Sequence, residues 1–129
     1  AALPIPGSDT GDYLVRNLIG IDPDQGLLAI GDLVQPGMEI QFARRDAETA
    51  REDLAHMIEG LLSRLPGPAR GGLYHSCLGR GRNLFGEDAA EMRLVKHLLG
   101  DVPLAGFYAN GEISHHRLYG YTGVLTLFS

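Results

Sequence analysis

From Asp46 onward, apolar residues recur at spacings of three and four: Ala47, Ala50, Leu54, Met57, Ile58, Leu61, Leu62 and Leu65. That period places them on one stripe of an α-helix. Asp46 stands where an N-cap belongs, and Pro66-Gly67-Pro68 supplies the stop. A shorter stripe of Met92, Val95, Leu98 and Leu99 predicts a second helix beginning near Asp88. There Asp88 and Glu91 have capping-box spacing, and Gly100 follows as the C-cap.

Elsewhere the pattern is that of strands. Tyr13–Ile19 and Leu27–Ile30 are apolar runs separated by the turn residues of Gly20-Ile21-Asp22-Pro23-Asp24-Gln25-Gly26, which predicts a hairpin. Met38–Ala43 alternates apolar with polar residues and predicts a third strand. Gly72–Cys77, Val102–Tyr108 and Tyr119–Phe128 complete the set. The order β-β-β-α-β-α-β-β opens with three strands and no helix between them, which excludes a doubly wound sheet. The expected class is α+β: a mostly antiparallel sheet of five or six strands with two helices on one face. The strands after the second helix are apolar on both faces. Tyr121, Leu125 and Leu127 oppose Val124 and Phe128, and Leu104 and Tyr108 oppose Ala105 and Phe107. A sheet with one wet face alternates more cleanly. The second face is therefore expected to be covered, by a further domain or by a second copy.

Composition narrows the function. The chain has 129 residues, enough for one domain, and 11 basic residues against 16 acidic ones give a net charge of −5. Such a balance speaks against nucleic acid, which needs a concentrated basic face. It speaks against an anionic membrane surface as well. No run approaches the length of a membrane span. Cys77 is the single cysteine, so an internal disulfide is excluded and a reducing, cytoplasmic compartment is expected. Residues 1–10, with Pro4, Pro6, Gly7 and Ser8, are expected to be a linker, and 11–129 the domain. The start lacks a signal peptide and an initiator methionine, so the chain is expected to be processed or cut from a longer one.

Three segments carry candidate chemistry. In Leu78-Gly79-Arg80-Gly81-Arg82-Asn83-Leu84-Phe85-Gly86, a Gly-rich loop leads from strand to helix. It aims backbone N–H groups at whatever lies above it, and two guanidinium forks suit a carboxylate or phosphate. It matches no nucleotide motif, and its arginines could equally pair with Glu87, Glu91 or solvent. Asn110-Gly111-Glu112 is a turn on the end of an apolar strand, placed as a binding loop would be. Cys77 and His75 lie on one side of a strand, which admits a Cys–His nucleophile or, with Glu112, a metal site. Neither has a recognised spacing, and a lone cysteine ending a buried strand is usually a small hydrophobe. The adjacent His115 and His116 point opposite ways if extended. No metal and no cofactor is expected.

The runs Gly71-Gly72-Leu73-Tyr74-His75-Ser76-Cys77-Leu78-Gly79-Arg80-Gly81, Val102–Ile113 and Leu118–Phe128 together resemble the FIST C-terminal domain. Arg16–Asp22 and Gly37–Asp46 are similar to the family's early strands and helix entrance. The likeness extends over almost all of Tyr13–Phe128. It implies a sensory module of intracellular, bacterial signalling proteins, preceded by an N-terminal FIST domain and binding small ligands such as amino acids. It implies no catalytic residues. The resulting expectation is a sensor, not an enzyme, with an anionic or zwitterionic ligand. Arg80, Gly81, Arg82, Asn83, Asn110, Gly111 and Glu112 are its candidate contacts. The alternatives are an enzyme using Cys77 with a histidine, and a protein-interaction domain without ligand.

Overall fold

The computed structural model describes residues 1–6, 11 and 13–129; residues 7–10 and 12 lie outside it. Strand β1 (Ala2–Pro4) pairs antiparallel with β2 (Tyr13–Val15). A hairpin of β3 (Leu18–Asp22) and β4 (Leu27–Ile30) follows. Then come α1 (Ala47–Arg64), β5 (Gly71–Cys77), the short α2 (Gly81–Phe85), α3 (Ala90–Leu99) and β6 (Leu104–Ala109). The hairpin β7 (Glu112–Ser114) and β8 (Arg117–Tyr119) precedes the last strand, β9 (Gly123–Phe128).

The class is α+β, as the pattern predicts, but the sheet is divided. Among the described residues, one three-stranded sheet has the order β6-β5-β9, and the other strands form two-stranded pairs. β5 is its centre, parallel to β6 and antiparallel to β9. The parallel pair arises because α2 and α3 carry the chain back across the sheet. The close approach of β6 to β5 requires glycine at 106, where a Cβ would overlap the Tyr74 carbonyl oxygen.

The two predicted helices pack on one face of this sheet. Asp46 caps α1, its Oδ1 accepting from the Thr49 backbone N–H at 3.1 Å. The stripe buries Leu54 and Ile58 against Val95 of α3, Tyr74 of β5 and Leu125 of β9. Leu104, Leu127, Met57 and Met92 pack around them.

Four local expectations are altered. Met38–Ala43 forms no strand: only Gln41 makes an isolated bridge, to Ala2, while Met38 and Phe42 are exposed. Alternation alone does not make a strand where no neighbouring edge is long enough to pair with. Ala2–Pro4, inside the stretch read as a linker, is strand, with Ala2 and Leu3 buried. The Gly-rich loop contains helix α2. Glu91 does not act in a capping box either. The N-cap of α3 is Ala89 at φ 56°, whose methyl offers no cap, and the Glu91 carboxylate is engaged elsewhere.

Candidate functional site

On β5, Tyr74 and Ser76 alternate onto the helix-covered face, so two hydroxyls enter an otherwise apolar layer. A buried hydroxyl needs a partner. The first turn of α3 provides one in Glu91, which is 1% exposed. Its Oε1 accepts from Tyr74 Oη at 2.7 Å, and its Oε2 from Ser76 Oγ at 2.6 Å. Burial, and then the charge of Glu91, raises the Tyr74 phenol above its ordinary value and keeps it a donor.

The third donor comes from the Gly-rich segment. Past the end of β5 the chain turns tightly, the Arg80 N–H bonding the Cys77 carbonyl at 2.8 Å. The Arg80 side chain then folds inward and gives Nε to Glu91 Oε1 at 2.6 Å. Its guanidinium lies 5.5 Å from the centre of the buried Phe85 ring, with Arg51 at 5.4 Å from the same ring. Arg80 Nη1 lies 3.5 Å from the Tyr121 carbonyl.

Arg80 and Tyr74 reach a cavity of about 570 Å³. Its apolar wall includes Val15, Leu54, Met57 and Leu84, and its polar wall includes Arg45, Asp53 and Thr122. Tyr121 closes one side with its backbone at φ 64°, a conformation that is uncommon outside glycine. The Arg45 guanidinium sits 4.8 Å from the Tyr121 ring centre and donates to the Gly79 carbonyl, while Tyr121 Oη donates to Asn17 Oδ1. The ring lies so close over Gly79 that a Cβ there would come within 2.6 Å of it. Four segments remote in sequence, at Asn17, Arg45, Gly79 and Tyr121, thus meet at the rim.

Of the seven predicted contacts, Arg80 lines the cavity. Gly81 is buried against the Tyr108 ring at the start of α2. Arg82 is exposed and lies 3.6 Å from Asp88, and Asn83 donates to the Leu78 carbonyl at 3.1 Å. The turn at Asn110-Gly111-Glu112 stands behind the cavity wall. Glu112 accepts from the hydroxyl of Thr122, and its Oε1 is buried with no partner among the described residues. Gly111 has φ 132° and no room for a Cβ, which would approach the Tyr119 carbonyl.

Cys77 is buried, and its Sγ accepts from the Gly79 N–H at 3.4 Å. The His75 ring stands edge-on to Phe107 at 4.5 Å, on the helix-free face. Among the described residues, no three or more His, Cys, Asp or Glu gather as a metal would need. Tyr74, Ser76, Glu91, Arg45 and Tyr121 had no part in the sequence-based site. A signal existed for the first two: hydroxyl residues at alternate positions of a buried strand announce a polar partner across the layer. The sequence offers Glu91 both as a capping-box residue and as one of the partners open to the loop arginines, and the structure has it in the second role, on Arg80.

The FIST C domain profile matches residues 2–115. An uncharacterized protein of Mycobacterium tuberculosis is 44% identical over 130 residues, covering 98% of this chain and 33% of that protein. An uncharacterized protein of Mycobacterium bovis is 42% identical with the same coverage. The chain therefore spans about a third of the length of the curated relatives it matches. No solved structure matches.

Proposed function

The chain belongs to the FIST C domain family, and on that premise we propose that it is the sensory, ligand-binding module of an intracellular signal-transduction protein. The observation that carries this reading is the cavity whose cation, Arg80, is held by the fully buried Glu91. A buried ion pair is expensive to assemble, and apolar residues of the same volume would often serve stability equally well. Its presence beside a cavity favours a fixed positive charge for a small anionic or zwitterionic ligand such as an amino acid. Of the expected contacts Arg80 faces the cavity, while Gly81, Arg82 and Asn83 belong to the segment that presents it and the Asn110–Glu112 turn acts through Thr122. On this reading the module is a sensor, and burial of Cys77 against the Gly79 N–H speaks against the alternative of an enzyme using that thiol.

The test is a thermal-shift screen of this chain, and of the longer protein, against amino acids, other small anions and nucleotides. A ligand bound at a hundred times its Kd stabilises by about 2.7 kcal/mol, well within reach of the method. Stabilisation by a small anion, lost in Arg80→Lys, is the expected result. No response to any compound overturns the reading.

A second reading, compatible with the first, concerns partners. The helix-free face of the sheet exposes Leu73, Phe107, Val124 and Phe128. Exposed apolar area of this kind favours an interface. In the signalling protein it is covered by the N-terminal FIST domain of the same polypeptide, or by a second copy in a homodimer. The C-terminal sensory domain then includes β1 (Ala2–Pro4) as well as the residues from 11 onward. No helix among the described residues is long and apolar enough to cross a membrane, and the acidic balance accords with a cytoplasmic protein that binds no nucleic acid.

A further inference from the structure

We propose that the ligand of the Arg80 cavity is a monocarboxylate with an apolar body, rather than a dicarboxylate, a phosphate or a strongly polar amino acid. This rests on the reading of the cavity as a small-anion site and narrows it to a chemical class.

The charge around the cavity sets the first limit. Arg44, Arg45 and Arg80 line it, together with Asp46 and Asp53, and Glu91 lies directly behind Arg80. Three arginines are matched by three carboxylates, so charge alone gives a dianion no advantage over a monoanion, and the choice falls to the hydrogen-bond donors that remain free. Arg44 is already 3.3 Å from Asp46. The Arg45 guanidinium is committed to the Gly79 carbonyl and the Tyr121 ring. Arg80 has given Nε to Glu91 and has Nη1 near the Tyr121 carbonyl. A guanidinium carries five N–H donors, so part of its fork remains for one further acceptor group. One carboxylate matches that remainder. A second would find the other arginines engaged, and its desolvation uncompensated.

The rest of the lining sets the second limit. Leu54, Met57, Leu84 and Val15 present hydrocarbon, and the Tyr74 hydroxyl is turned to Glu91 rather than offered to a ligand. Tyr121 likewise gives its hydroxyl to Asn17. Two aromatic residues of the lining therefore have their hydroxyls engaged within the protein. A cavity of about 570 Å³ falls in the range of small-molecule sites, where a few polar groups orient a mainly apolar ligand. Against the hydrocarbon side formed by Val15, Leu54, Met57 and Leu84, a polar group on the ligand would lose water without regaining hydrogen bonds.

The experiment is calorimetric titration of the protein with isocaproate and hydrocinnamate, the uncharged amides of both, glutarate, glutamate and inorganic phosphate. The two monocarboxylates are expected to bind at least tenfold more tightly than their amides and than glutarate, glutamate or phosphate. Arg80→Lys, which keeps the charge beside Glu91 but loses the fork, should weaken them at least tenfold. Leu84→Gln, at a half-buried position on the cavity wall, should weaken them by a similar factor while leaving the fold intact. Glutarate, glutamate or phosphate binding as tightly as hydrocinnamate, with loss in Arg80→Lys, overturns the apolar class and leaves the small-anion site standing. Binding of no compound, or binding unchanged in Arg80→Lys, overturns both.

Discussion

Arg80 Nε lies 2.6 Å from Glu91 Oε1, joining the cavity wall to the first turn of α3 through a carboxylate that has almost no contact with water. Each Glu91 oxygen is satisfied: Oε1 by Tyr74 and Arg80, Oε2 by Ser76. The arrangement ties β5, the Gly-rich turn and α3 to one side chain. Anything that draws the guanidinium toward the cavity therefore acts on α3 as well.

This relationship is measurable by a double-mutant cycle. Glu91→Ala strands the Arg80 charge and two hydroxyls, and is expected to cost about 3–5 kcal/mol in denaturant unfolding. Arg80→Ala leaves Glu91 with its two hydroxyl donors and should cost less. In the double variant the losses should fall short of additivity by about 0.5–3 kcal/mol. Strict additivity would mean that the two side chains do not stabilise each other.

Tyr74 adds an alkaline limb. Burial first, and the Glu91 charge second, raise its folded value above the ordinary one near 10. A raised folded value contributes stability that is complete below the unfolded value and is lost as pH rises beyond it. Stability is therefore expected to fall above about pH 10. Tyr74→Phe should flatten that limb while costing about 1.5–3 kcal/mol at neutral pH, the worth of a hydrogen bond to a charged acceptor. An unchanged alkaline limb in Tyr74→Phe would contradict the assignment.

The acid side belongs in part to the cap of α1. The Thr49 backbone N–H, and then its hydroxyl, hold Asp46 below its ordinary value of 3.8. For a lowered carboxylate the contribution is present above the unfolded value and lost as pH falls through the folded one. Asp46→Asn, which still caps, should keep neutral-pH melting close to that of the parent and lose this acid dependence. Asp46→Ala should melt lower at neutral pH and converge with the parent in acid. A constant gap between the two across the acid range would exclude the cap as its source.

Helix α1 was legible in sequence because its period, cap and stop all lie within one segment. The α+β class and the packing of two helices on one face followed from element order and apolar stripes. What escaped depends on non-local pairing. Met38–Ala43 alternates as a strand does, yet only Gln41 meets a partner, Ala2. The β7–β8 hairpin lies mostly in Ile113–Leu118, between the expected turn and the expected last strand, where no element was predicted, since its tight turn uses His115 at φ 55° in place of glycine. Arg80, singled out from the Gly-rich run, does line the cavity, but the carboxylate that holds it lies eleven residues on. Local spacing offered Glu91 a capping role, and only the fold shows three donors converging on it. Tyr121 and Arg45 are more remote still, joined over Gly79 by ring and guanidinium geometry that no local pattern encodes.

The last prediction concerns the sheet face away from the helices. Parallel pairing sets Phe107 beside His75, and antiparallel pairing sets Val124 on its other side. Leu73 and Phe128 lie on the same face, and Phe107 is 65% exposed. Fully burying such a side chain contributes about 1.5–3 kcal/mol, and since these four are already about half buried, roughly half of that is forgone at each. A second copy meeting this chain through the same face would recover part of it, in a self-complementary twofold contact. The isolated chain is expected to sediment as a dimer at micromolar concentration. Phe107→Lys combined with Val124→Lys should convert it to a monomer with an unchanged circular dichroism spectrum, because neither side chain belongs to the core between sheet and helices. A parent chain that is already monomeric at those concentrations would rule out self-association through this face. A double variant that remains dimeric would place the contact elsewhere, with the β3–β4 hairpin, where Ile19 and Ile21 are exposed, the next surface to alter.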